Sequence, residues 1–272
     1  MISEKWNVLK DSGPKHQVEI LCAKIEDYSL GALYNEEITD IYIKPNNKQK
    51  VNSVLDEFSN DSLSFQWEIL HSKDWHLMWQ EHFTSINIRD EIQILPDWDK
   101  TNSSGKIKSI FIRPGMSFGT GHHETTYLML ESLLDYKEKK LSLLDLGSGS
   151  GILSITAQKL GFSNITSVEY DEVCKEDYLY NLKINDCDDI NMNWADATLW
   201  TDFNYNLILA NIEKNILKRI LKNINKSNGV FILSGILEED KGDMEDYLNK
   251  NNFIVSEIRQ RNEWIAITCS KI

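Results

Sequence analysis

The chain has no Cys-x-x-Cys pair: its four cysteines, Cys22, Cys174, Cys187 and Cys269, stand far apart. That spacing argues against a zinc site, so no metal is expected, and in a chain of 272 residues it reads as reduced intracellular thiols. Positive charge is also in deficit. Lysine and arginine number 29 against 42 aspartates and glutamates, a net charge of −13. Such a balance argues against a nucleic-acid-binding surface, which needs a basic patch, and it is compatible with a basic protein as partner. No apolar run approaches the roughly 18 residues a membrane span requires. The N-terminus lacks a basic region followed by an apolar stretch, so no signal peptide is visible. A cytoplasmic protein is expected. What remains, 41% hydrophobic and 26% charged, is enough to bury a core in one large domain or two smaller ones.

The most informative stretch is Leu-Ser-Leu-Leu-Asp-Leu-Gly-Ser-Gly-Ser-Gly, residues 141–151. An apolar run ends in an acid, three glycines follow at alternate positions, and Ile152, Leu153, Ile155, Ala157 and Leu160 then keep a helical spacing. This predicts a buried strand, a tight turn and a helix. Glycine serves where backbone passes close to a ligand or takes positive φ, and the helix N-terminus beyond offers free N–H groups. A dinucleotide fingerprint, Gly-x-Gly-x-x-Gly, would want its third glycine at position 152, where this chain has isoleucine. Asp-x-Gly-x-Gly-x-Gly after an apolar strand is similar instead to the first motif of the class I S-adenosylmethionine (SAM) methyltransferases.

Around this turn the chain reads as two parts. Residues 1–70 carry a β-α-β-β-α-β order, which fits a small ferredoxin-like α+β domain. Residues 71–85 form a helical linker with Trp75 and Trp79 at i and i+4, a spacing that favours packing over stacking on a ligand. Residues 86–272 form the catalytic part. Residues 86–95 and 106–114 read there as two single strands, separated by a polar loop. Next comes Pro-Gly-Met-Ser-Phe-Gly-Thr-Gly-His-His-Glu-Thr-Thr, residues 114–126, whose glycines and small hydroxyls ahead of a helix suit a lid over a polar ligand. His122 and His123 adjoin and cannot share a metal in the usual i, i+4 manner. Regular βα alternation follows, closed by an antiparallel pair over residues 253–259 and 264–269. The fold class is therefore α/β: a parallel, Rossmann-like sheet covered on both faces, with a methyltransferase-type terminal hairpin.

In such a sheet ligands lie outside the carboxyl ends of the strands. Those ends carry Gly147 and Gly149 after Asp145, then Glu169, Asp196 and Asn211. Glu169, about 20 residues beyond the turn, is placed to accept the ribose hydroxyls. Asp196 is placed to take the adenine amino group. Asn211, a polar amide closing an apolar run, faces the site.

At this level of detail Phe118-Gly-Thr-Gly-His-His-Glu-Thr-Thr126, Leu144-Asp-Leu-Gly-Ser-Gly-Ser-Gly151, Val168-Glu-Tyr-Asp171, Ala210-Asn-Ile212 and Ser234-Gly-Ile-Leu237, in this order, resemble the ribosomal protein L11 methyltransferase family, PrmA. The resemblance covers the chain from about residue 72 onward, and the segment 118–126 is its specific part. It implies SAM as cofactor, ribosomal protein L11 as substrate, and transfer of methyl to lysine or α-amino nitrogens. It carries the cofactor positions over to Thr126, Gly147, Glu169 and Asn211, with Asn211 beside the methyl group as the catalytic residue. The chain departs from the family in Glu169 for a commoner aspartate, Ser148 for a common cysteine, Asn206 for an aspartate opening the fourth strand, and His123-Glu124 for Thr-His-Pro. Three rivals stay open here. One is the same chemistry on another lysine-bearing protein, as in the related electron-transfer-flavoprotein lysine methyltransferases. The others are a non-catalytic SAM-binding protein and an NAD-linked oxidoreductase.

Overall fold

A computed structural model describes residues 5–34, 38–43, 47–58, 63–71, 85–99, 107–113, 123–137 and 141–272. The Trp75–Trp79 segment, the glycines of the 114–122 stretch and His122 lie outside them. The chain folds as two compact units, residues 1–83 and 84–272.

In the first unit β1 (Lys5–Ser12), α1 (Lys15–Lys24), β2 (Ser29–Tyr34), β3 (Thr39–Ile43), α2 (Lys48–Leu55) and β4 (Ser64–His71) follow one another. The strands form a sheet in the order β2-β3-β1-β4 with every neighbouring pair antiparallel. Each helix thus links two parallel strands that have a third strand between them, a split βαβ topology. Leu9 pairs with Ile41 across the sheet. Both join Leu21, Ile25, Val51, Leu55 and Phe58 in one core, so the helices cover the face that these alternate strand residues share.

The second unit begins with β5 (Ile86–Ile88), β6 (Ile92–Pro96) and β7 (Lys108–Ile112). Residues 86–95 are thus two strands and not one. The Glu91 amide donates to the Ile88 carbonyl, and Arg89 and Asp90 between them take φ of 49° and 52°. A tight hairpin turn with two left-handed residues usually advertises itself with Asn-Gly; Arg-Asp gives no such signal.

After α3 (Glu124–Leu133) comes a seven-stranded sheet built from β8 (Ser142–Leu146), β9 (Ser163–Glu169), β10 (Ile190–Trp194), β11 (Leu207–Asn211), β12 (Val230–Leu237), β13 (Phe253–Arg261) and β14 (Trp264–Lys271). Its order is β10-β9-β8-β11-β12-β14-β13. The pairs from β10 through β12 are parallel, and β14 runs antiparallel to both its neighbours. The connecting helices are α4 (Ile152–Leu160), α5 (Lys175–Ile184), α6 (Lys214–Lys222) and α7 (Lys241–Lys250). Alternation along the strands separates two cores. Leu143, Leu207, Leu209 and Ile232 meet α3 and α4 on one face. Leu144, Leu146, Ile208 and Ala210 meet α6 and α7 on the other. Strands buried on both faces read as the continuous apolar runs seen in the sequence. From β8 the chain first adds strands on one side and then resumes at β11 on the other. The crevice beyond the carboxyl ends of β8 and β11 is therefore the topological switch point, where such sheets bind ligands.

Candidate functional site

The turn after β8 is made from left-handed backbone: Gly147, Gly149 and Gly151 have φ of 72°, 50° and 82°. A side chain at Gly151 would place its Cβ 2.9 Å from the Tyr178 ring, so both conformation and space demand glycine there. Gly147 and Ser148 donate their amides to the Val168 carbonyl at 2.8 and 3.1 Å, tying the turn to the end of β9. Gly149 donates to Glu169 Oε2 at 2.9 Å. The other carboxylate oxygen of Glu169 accepts from the amides of Tyr170 and Asp171 at 2.8 and 2.9 Å. Glu169 is nearly buried. Three backbone donors therefore fix the orientation of its carboxylate at the lip of the crevice. Asp171 caps the short turn that leads to α5, its carboxylate accepting from the Val173 amide.

Behind the turn, Asp145 is completely buried. Ser154 donates its hydroxyl to Asp145 Oδ2 at 2.6 Å and meets the Ser167 hydroxyl at 2.6 Å on its other side. Asp145 Oδ1 has no partner among the described residues. Burial pushes the Asp145 carboxyl up to about 7, with the Ser154 hydrogen bond opposing that shift and the nearby Glu169 charge adding to it. Through Ser154 it is tied to α4, the helix that follows the turn.

Across the crevice, Asn211 ends β11. Its Nδ2 donates to Thr126 Oγ1 at 3.5 Å, which brings these two expected site residues together. Its Oδ1 is buried and has no partner among the described residues. Thr126 is fully buried in the first turn of α3, whose N-terminus is capped by His123: the Thr125 amide donates to Nδ1. The His123 ring also packs edge-on against Trp264 at 4.9 Å, and Glu124 accepts from Asn262 Nδ2 at 2.9 Å. His123 is thus held as a cap and packing residue. Ile212 lies against Gly147, and its backbone passes so close to Gly235 that a Cβ there would sit 2.4 Å from the Ile212 carbonyl. Gly235, at φ 85° within a bulge of β12, is what lets the Asn211–Ile212 corner pack in; the Ser-Gly-Ile-Leu run signals it in sequence.

Asp196 stands apart from this group, beyond the end of β10 and two strands from β8. It is exposed and accepts from the Thr198 amide at 2.8 Å as the cap of a short helical turn. Hydrogen bonding to Thr198 lowers its carboxyl below the ordinary aspartate value. Two residues with no role assigned from sequence also border the crevice or its supports. Tyr170 follows Glu169 and the residue is 72% exposed, unusual for a large aromatic at a strand end. Asn181, on α5, is fully buried and reaches the glycine turn. Nothing in the local spacing signals that contact.

The site's donors and acceptors fit a nucleoside bearing a cationic sulfur. The glycine turn follows β8, the Glu169 carboxylate is fixed at the end of β9, and a buried amide oxygen without a partner among the described residues ends β11. Over residues 7–272 the chain matches the family described as ribosomal protein L11 methyltransferase (PrmA). It belongs to that family. The ribosomal protein L11 methyltransferase of Prochlorococcus marinus is 32% identical over 235 residues, covering 83% of this chain and 78% of that protein. That of Porphyromonas gingivalis is 35% identical over 222 residues, covering 79% and 76%. The crystal structure of a ribosomal protein L11 methylase from Lactobacillus delbrueckii subsp. bulgaricus superposes with a TM-score of 0.64 at 28% identity, covering 70% of this chain and 99% of that one. As a member of the PrmA family, the chain is a SAM-dependent protein methyltransferase. No helix among its described residues is long and apolar enough to cross a membrane.

Proposed function

We propose that this PrmA-family chain methylates lysine or α-amino nitrogens of ribosomal protein L11 in the cytoplasm, using the crevice between β8 and β11. The observation that supports the site assignment is the buried Oδ1 of Asn211, without a partner among the described residues, at the end of β11, the strand beside β8 at the switch point. SAM bound there supplies an electrophilic methyl on a cationic sulfur. Gly147 and Gly149 line the methionine side, Glu169 accepts the ribose hydroxyls, Tyr170 packs on the adenine, Asp196 takes the adenine amino group, and Thr126 holds Asn211 in place.

A lysine amine, with a pKa of about 10.4 in water, must arrive neutral to act as nucleophile. Desolvation at the crevice disfavours its ammonium form, and a neighbouring positive charge acts in the same sense. Asn211 Oδ1 accepts one N–H of the neutral amine and aims its lone pair along the line of transfer. Positioning of this kind supplies rate without a dedicated base. The proton leaves to solvent. The N-terminal unit, with its split βαβ topology, is the part that recognises the protein substrate, and the acidic surplus of the chain suits a basic partner.

The test is incubation of the full chain with purified L11 and methyl-labelled SAM, followed by peptide mass spectrometry. Label on lysine or α-amino nitrogens of L11 is expected. Label appearing only on another protein of a cell lysate would move the substrate elsewhere. SAM binding without transfer to any protein would refute catalysis at this site.

A further inference from the structure

Asn181 joins two segments that are distant in sequence. Its Nδ2 donates to the carbonyl of Ser150, inside the glycine turn, at 2.9 Å. Its Oδ1 accepts the backbone amide of Arg113, directly after β7, at 2.8 Å. The side chain is completely buried, so neither bond can be replaced by water without opening the structure. Further contacts brace the same junction. The Arg113 guanidinium stacks over the Tyr180 ring at 3.4 Å and lies 3.5 Å from Glu176, both residues of α5. One turn on from Asn181, Asn185 accepts the Phe111 amide at 2.8 Å and donates to the Phe111 carbonyl at 2.6 Å, pairing with β7 as a neighbouring strand would. Asn185 has no hydrogen bond to the glycine turn among those described; it shares the β7 contact and lacks the Ser150 contact. Asn181 is thus the one of the pair that touches both.

We propose that Asn181 is a positioning residue of the methyl-donor site: by holding the Ser150 carbonyl it fixes the peptide planes of the Gly149–Gly151 turn, and by holding the Arg113 amide it registers that turn against the end of β7. Every peptide of the turn has left-handed or flexible neighbours, so nothing in the glycines themselves selects one orientation. The Ser150 carbonyl is the turn's acceptor for a side-chain donor from α5. Gly147 and Ser148 are tied to β9 through Val168, and Gly149 through Glu169. The Gly151 amide donates to the Ser148 carbonyl at 2.8 Å, within the turn itself, and Asn181 adds the tie from α5 to the Ser150 carbonyl. The inference rests on the reading of this turn as the cofactor site.

The test compares Asn181→Asp, Asn181→Ala and Asn185→Asp in the full chain, with SAM as the probe. Asn181→Asp keeps an acceptor for the Arg113 amide and loses the donor to Ser150. The dissociation constant for SAM by calorimetry, KM and kcat for methyl transfer, and the thermal midpoint are measured for each. Loss of a buried hydrogen bond with one partner retained predicts SAM binding about tenfold weaker in Asn181→Asp, with kcat at saturating SAM within about threefold of wild type. Asn185→Asp lowers the thermal midpoint by a similar amount and leaves SAM affinity within about threefold, because it removes the donor to the Phe111 and Asn181 carbonyls and leaves the Asn181 side-chain bond to Ser150 in place. If Asn181→Asp does not fold, Asn181→Ala is compared by amide exchange without ligand, where faster exchange confined to the glycine turn and residues 111–113 is expected. Equal SAM affinity in wild type and both Asn181 variants, or an equal loss in Asn185→Asp at matched stability, overturns the proposal. Glu169→Ala is the separate arm: if it too leaves SAM affinity unchanged, the site reading itself has failed and not only the role of Asn181.

Discussion

Replacing Asp145 by asparagine isolates the effect of a charge buried behind the cofactor turn. The side chain is completely buried, one carboxylate oxygen takes the Ser154 hydroxyl, and the other has no partner among the described residues. Burial raises its carboxyl from 3.8 to about 7. An acid with a raised folded-state pKa binds more protons folded than unfolded between the two values. Its contribution to stability is fully present below about pH 4 and is lost as the pH rises through about 7. Integrated from pH 5 to pH 8, the loss amounts to about 2.5 kcal/mol. Asp11, buried in the N-terminal unit and pushed up to about 6 by desolvation, adds a decline of the same sign that ends at lower pH and is untouched by a change at 145. Asp145→Asn keeps an amide oxygen for Ser154 and cannot ionise. Urea denaturation of both full-length chains at pH 5 and pH 8, followed by circular dichroism, measures the effect. The stability of the variant relative to wild type should rise by about 2.5 kcal/mol between the two pH values. Parallel pH profiles would refute the reasoning, since they would mean that Asp145 ionises in the fold as readily as in the unfolded chain.

Other expectations follow from the same geometry. Gly151→Ala combines left-handed backbone with a Cβ 2.9 Å from the Tyr178 ring, and should cost about 3 kcal/mol in chemical denaturation; a loss under about 1 kcal/mol would show that the turn relaxes freely. Glu169→Gln retains shape but replaces a carboxylate oxygen that accepts backbone N–H groups with an amide donor, so SAM affinity by calorimetry should fall about tenfold or more. Asn211→Ala should lower kcat about a hundredfold with SAM affinity nearly unchanged; retention of the wild-type rate in the L11 labelling assay would remove Asn211 from the mechanism. Tyr170→Ala should weaken SAM binding without altering kcat at saturation, and unchanged affinity would remove its ring from the adenine site.

The sheet was legible in the sequence because β8, β11 and β12 hold apolar runs, and β8, β9 and β11 are closed by a glycine, an acid and an amide. The β8 turn, Glu169 and Asn211 all stand at such ends, and their burial follows from the same pattern. The β5–β6 hairpin was not legible, since Arg89 and Asp90 adopt left-handed backbone that their side chains do not announce. Asn181 escaped for a different reason. Its role is a contact to a backbone atom far away in sequence, the Ser150 carbonyl, and no local spacing encodes a contact of that kind. Asp196 shows the converse: its position at a strand end was readable, whereas its engagement as a cap for Thr198 depends on a turn formed only in the fold.

The most direct measurement of the central claim is a crystal structure of the full chain with S-adenosylhomocysteine, the product of methyl transfer. It should place the ribose hydroxyls on Glu169, the homocysteine along Gly147 and Gly149, and the sulfur facing Asn211. A nucleoside bound anywhere other than the crevice between β8 and β11 would contradict it.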